Sequence, residues 1–184
     1  MRRKPSFGAM RTVSQSTETP QFELKRLSKD SIDAAVGKAE HYRFLNQPRL
    51  AESICLDVMD IDPENQKAAV VLLLALTDQF KQSAKASKQA LELANKLKDE
   101  YSKIYYTGIV HERQGAVALN SSIPGADFDA YMWYREAMQF YEKANEINKG
   151  ENNDPILRWN TCARIIMESH LHERPSDDDQ PMLE

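Results

Sequence analysis

The stretch IDAAVGKAEHYRFLNQPRLAESICLDVMDIDP, residues 32–63, decides how the rest of the chain is read. Asn46-Gln47-Pro48 interrupts it, because proline fixes φ, lacks an amide hydrogen and pushes the residue before it out of the α region. Beyond the break Leu50, Ala51, Ile54, Cys55, Val58 and Ile61 recur at three- and four-residue steps, the single apolar stripe of an amphipathic helix that starts at Pro48. Before the break Ala39 is small enough to stand where this helix and its predecessor cross at Ala51, with Tyr42 beside the crossing. Asp62-Pro63 then ends the unit and starts the next helix, since aspartate is a strong N-cap and proline suits the first helical position.

Downstream the unit recurs less strictly. Ala69, Leu72, Leu73 and Leu76 fall 34 residues after Ala35, Lys38, Ala39 and Tyr42. They belong to a unit that begins at Gln66 and whose first helix is apolar all round from Ala68 to Leu76, as suits a middle element packed on both sides. Ser83 is placed to cap its partner helix, where Ala86, Ala90, Leu93, Ala94 and Leu97 mark the buried face and Lys81, Lys85, Lys88, Lys96 and Lys98 lie mostly opposite. In the third unit Ile104, Gly108 and His111 take the places of Ala35, Ala39 and Tyr42, and Gly108 fits a close helix crossing because it has no side chain. That helix continues to about Leu119, Pro124-Gly125 marks a turn, and a second helix from about Phe128 to Lys149 carries Ala137, Tyr141 and Ala144 before Gly150 ends it. The third hairpin is therefore longer by several turns, and Tyr131, Trp133, Tyr134, Phe140 and Tyr141 crowd onto it as core first and ligand site second. Asp154-Pro155 launches a last helix, Ile156 to about Ser169, with Trp159, Cys162, Ala163 and Ile166 on its packing face. No paired helix follows, so it reads as a cap over the open end of the stack.

Over residues 31–169 this pattern resembles the tetratricopeptide repeat. The resemblance implies an all-α fold, a right-handed α-solenoid of three helical hairpins plus a C-terminal capping helix. It also implies a concave groove, lined by the first helix of each pair, that holds a peptide or helix of another protein. Carried onto this chain, the groove takes Val36, Glu40, Arg43 and Phe44 from the first unit and Val70, Leu74 and Thr77 from the second. The third supplies Tyr105, Ile109, Glu112 and Arg113, and the last helix Asn160 and Arg164. Arginines so placed can take carboxylates bidentately, while Val70, Leu74 and Ile109 would serve equally well as core. One subgroup of the family clamps a C-terminal carboxylate with lysines, asparagines and an arginine; that set is not reproduced, because Arg43 and Phe44 stand where its basic and amide pair would be.

Composition sets the remaining bounds. With 184 residues, 41% hydrophobic and 28% charged, the chain can build one soluble domain with a real core, expected over residues 30–170. Residues 1–29 read as a disordered basic arm, with Met10 an alternative start, and residues 171–184 as a disordered acidic tail around Asp177-Asp178-Asp179. Cys55 and Cys162 have no disulfide-like spacing and read as small buried hydrophobes in a reducing, cytoplasmic compartment. No apolar run approaches the roughly 18 residues of a membrane span, and no apolar segment follows Arg2-Arg3-Lys4 as a signal peptide requires. Neither His111-Glu112-Arg113 nor the pair His170 and His172 has the spacing of a zinc motif, and no phosphate loop or nucleophile motif is present. The expectation is a non-enzyme without cofactor or metal, binding an unknown protein or peptide and not nucleic acid, as a monomer or weak homo-oligomer. A chaperone for a secreted or assembling client and a self-assembling structural subunit are the alternatives.

Overall fold

The computed structural model describes residues 21–150 and 152–175. Among them are seven α-helices and no strand: α1 (Ile32–Phe44), α2 (Pro48–Ile61), α3 (Gln66–Thr77), α4 (Ala84–Lys96), α5 (Glu100–Leu119), α6 (Ala126–Asn148) and α7 (Asp154–Glu168). Each helix packs on the next, and α1 also touches α3 while α3 touches α5.

The boundaries follow local chemistry, with corrections at α3, at α6, and at α4, where Ser83 precedes the helix but its side chain makes no capping hydrogen bond. α2 starts at Pro48, after Asn46 takes a left-handed φ of 56° to reverse the chain. At the next junction Asp62-Pro63 does not start a helix. Asn65 is the cap of α3: its side chain accepts from the Ala68 amide at 2.9 Å, and Asp62 in turn accepts from Asn65 Nδ2 at 3.0 Å. Asp62 thus holds the capping residue in place and Pro63 lies in the turn between the helices. α5 is capped by Asp99, which accepts from the Ser102 amide at 2.8 Å; that bond holds the Asp99 carboxyl below its ordinary range. Gly125, at φ 82°, makes the turn into α6, which starts at Ala126, two residues earlier than Phe128.

Two apolar clusters form the interior. The first joins α1 to α4, with α3 enclosed on nearly every side, and Ala51, Leu73, Ala90 and Ala94 fully buried. The second joins α5 to α7 around Tyr134, Tyr141 and Cys162; Leu74 and Tyr106 pack against both clusters. Gly108 does sit at a helix crossing, since a Cβ there would lie 2.7 Å from Tyr141 Cε1 and 3.2 Å from Phe140 Cβ. Gly115, one heptad on, meets the Tyr134 ring in the same way, at 3.1 Å. Two glycines of α5 therefore receive two tyrosines of α6, which draws the long hairpin together along its length.

Packing extends beyond residues 30–170. Leu27 lies against the first cluster. At the other end His170 adopts φ 53°, its amide donates to Met167 O at 3.3 Å, and the Leu171 amide donates to Ile166 O at 3.0 Å. This is a Schellman turn, and it folds Leu171, 9% exposed, into the second cluster beside Ile166. His172 then sets its ring edge-on to Phe128, and Arg174 lies over the same ring and 3.1 Å from Asp129. The start of the expected acidic tail is thus docked on α6. The remainder of that tail from residue 176, and residues 1–20 of the basic arm, lie outside the described residues.

Candidate functional site

Arg43, on the last turn of α1, donates from Nε to Asp78 Oδ2 at 2.7 Å. Asp78 is the residue that closes α3, and its other oxygen lies 4.0 Å from Arg113 Nη2 of α5. One carboxylate at the end of α3 therefore stands between two guanidinium groups, from α1 and α5, and Arg113 Nε is buried without a hydrogen-bond partner. The Arg43–Asp78 pair is only about a fifth exposed on either side, so water screens it less than a surface pair. Two cations on one anion leave an excess positive charge at this seam.

A second polar cluster ties α7 to the long hairpin. Glu112, 9% exposed, accepts from Tyr141 Oη at 2.6 Å and from Arg158 Nη1 at 2.9 Å. Burial, and then the Glu112 charge, push the Tyr141 phenol far above its ordinary range, so it stays a donor. Tyr105 stacks on Tyr101 with ring centroids 5.6 Å apart and meets Tyr106 edge-on at 5.4 Å. These rings continue the surface between Leu74 and Arg158.

The residues expected to line a groove do not share one environment. Arg43, Glu112 and Arg113 join polar contacts between helices, and Tyr105, Val70 and Leu74 are half-buried along the same side. Phe44 is 83% exposed at the end of α1. Ile109, 2% exposed, and Val36, 5% exposed, are core instead, and Thr77 is buried with its hydroxyl donating to Leu74 O at 2.8 Å. Asn160 and Arg164 take no part in either polar cluster, and Arg158 fills that role. Arg158 stands one turn before Cys162, the fully enclosed residue of α7, and shares its side of the helix, whereas Asn160 and Arg164 stand on other faces. Trp159 correspondingly stays half-exposed, its indole N–H donating to Glu142 Oε1 at 2.8 Å. Asp78 escaped the sequence reading although it stands next to Thr77, one repeat period after Phe44; an isolated acid on an apolar helix was the available signal.

His111 packs between Trp133 and Phe140, at 5.3 and 5.0 Å, with Nδ1 2.8 Å from Glu136 Oε2 but without hydrogen-bond alignment. Burial lowers its pKa more than Glu136 raises it. Burial pushes both cysteine thiols up to about 12, so neither is a nucleophilic thiolate at neutral pH. Among the described residues no three His, Cys, Asp or Glu side chains are grouped to hold a metal ion, and no helix is long and apolar enough to cross a membrane.

Fold and site together define an all-helical protein with charged and aromatic side chains aligned across α1, α3, α5 and α7. No protein-family model matches the sequence, and neither curated proteins nor solved structures show a significant match to it.

Proposed function

We propose that this chain is a tetratricopeptide-like array of helical hairpins that holds a peptide or helix of another protein, on the face shared by α1, α3 and α5. The observation that carries this reading is the Arg43–Asp78–Arg113 seam, in which three helices bring charged groups together near the end of α1, where Phe44 is exposed. Apolar anchors with arginines at their rim suit a ligand segment bearing apolar residues and a carboxylate. The ligand's carboxylate would compete with, or add to, Asp78 between the two guanidinium groups. Tyr105 and Leu74, half-buried on the same side, supply further contact area. Two buried, unpaired cysteines fit a reducing, cytoplasmic setting.

The test uses Phe44→Asp, because the exposed ring contributes little to stability. Affinity capture from native lysate with the wild-type chain and with this variant, compared by mass spectrometry, should show one or more partners lost from the variant at unchanged melting temperature. The same set of captured proteins with both chains would remove the inner face as the binding site.

A further inference from the structure

His111 is a titratable side chain set inside the seam between α5 and α6, outside the polar contacts of Arg43, Asp78 and Arg113. It shares a side of α5 with Gly108 and Gly115, three residues after the one and four before the other. It therefore enters the seam between the two points where the α5 backbone receives the Tyr141 and Tyr134 rings. Its own ring sits between Trp133 and Phe140, with centroids 5.3 and 5.0 Å away, and its side chain is 13% exposed. Nδ1 is enclosed without a hydrogen-bond partner, although Glu136 Oε2 stands 2.8 Å away.

A proton added to this ring meets two opposing effects. Glu136 attracts it, but that carboxylate is 40% exposed and lines an open cleft of about 550 Å³ with Arg135 and Arg174, so water and neighbouring cations weaken its hold. Against the attraction stands the loss of hydration of an imidazolium enclosed between two aromatic rings. The other charged neighbours do not rescue it. Glu112 and Arg113 of α5 are turned to Arg158 and Asp78, Asp129 is paired with Arg174, and Lys143 lies over the Phe140 ring at 5.5 Å, a cation that opposes a second one. Burial accordingly lowers the pKa of the imidazole more than Glu136 raises it, and the packed arrangement belongs to the neutral ring.

We propose that His111 is a proton-operated latch on the α5–α6 hairpin, seated between Trp133 and Phe140 while neutral and released toward solvent when it takes up a proton. The release is local. Tyr141 and Tyr134 stay seated on Gly108 and Gly115, and Tyr141 keeps its bond to Glu112, so the two helices remain joined on either side of the vacated slot. Trp133 loses one neighbour of its ring and also borders the cleft between α4 and α6, so acidification changes the surface of the molecule there.

The chain's two tryptophans make the release measurable. In a Trp159→Phe background, Trp133 emission and its quenching by acrylamide are followed as pH falls from about 8 to about 5, with far-UV circular dichroism recorded alongside. Trp133 should become more accessible to acrylamide in one transition centred below pH 6.5, with helix content constant. His111→Gln should abolish that transition, and so should His111→Phe, which keeps a ring in the slot should the polar substitution disturb packing. Glu136→Gln should move the midpoint to lower pH, because it removes the charge that favours the imidazolium. No change in Trp133 accessibility, a transition that persists in both His111 variants, one that coincides with loss of helix, or a midpoint that Glu136→Gln leaves in place or raises would overturn the proposal.

Discussion

At the residue scale, the sharpest constraint is the pairing of α5 glycines with α6 tyrosines. Gly108→Ala would gain helix propensity of about 1 kcal/mol, but its methyl would press on a Tyr141 ring fixed by burial and by its bond to Glu112. Overpacking of that kind costs about 1–3 kcal/mol, so a modest net loss in urea denaturation is expected. Glu112→Ala strands Arg158 and the Tyr141 hydroxyl together, and because Arg158 is a third exposed we expect about 2–3 kcal/mol, toward the low end for a broken buried pair. Glu112→Gln keeps an acceptor for Tyr141 and should lose less; equal losses from the two would mean that the hydrogen bonds, not the charge, are unimportant. His111 adds a dependence on pH. Its folded pKa lies below the ordinary value of 6.5, so its contribution to stability is complete above that pH and is lost as pH falls through the lower folded value. His111→Phe should therefore flatten the fall in stability between about pH 7 and pH 5 relative to the parent chain, which paired urea titrations would detect.

At the scale of elements, the C-terminal turn is the part whose contribution is least evident from composition. His170 occupies a left-handed position that glycine fills without strain, and replacing it by Gly should raise stability by about 0.5–1 kcal/mol. Leu171→Ala should lower it by about 2–3 kcal/mol, because the side chain closes the second cluster. If melting were indifferent to Leu171→Ala, the turn would not be part of the cooperative unit. Trp159→Ala belongs to the same helix yet should cost only about 2 kcal/mol, well short of the 3–5 kcal/mol of a fully enclosed indole, since half of the ring faces solvent.

At the scale of the whole molecule, helices that touch mainly their neighbours give a stability profile that varies along the chain. α3 is enclosed by α1, α2, α4 and α5, so its amides should exchange slowest with deuterium, and the long α5–α6 hairpin should follow. α1 and α7 each close an open end and should exchange faster. Uniform protection from α1 to α7, read by mass spectrometry of peptide fragments, would indicate a single global core in place of two linked clusters.

What the sequence by itself determined is the helical content, most helix ends and the places of closest approach. Those depend on short-range rules: proline and asparagine at a break, a capping side chain three residues before the amide it serves, a glycine where two backbones meet. Pro48, Gln66, Leu119 and Gly108 were legible for that reason. Tertiary structure alone decided which side each helix shows its neighbour. Arg158, and neither Asn160 nor Arg164, shares the side of α7 that Cys162 buries, and no local preference in the sequence registers that choice. The same holds for Asp78, whose partners Arg43 and Arg113 come from helices 35 residues away on either side. Charge pairing between helices is set by their relative rotation, and that rotation is fixed only when the side chains of the two apolar clusters have packed.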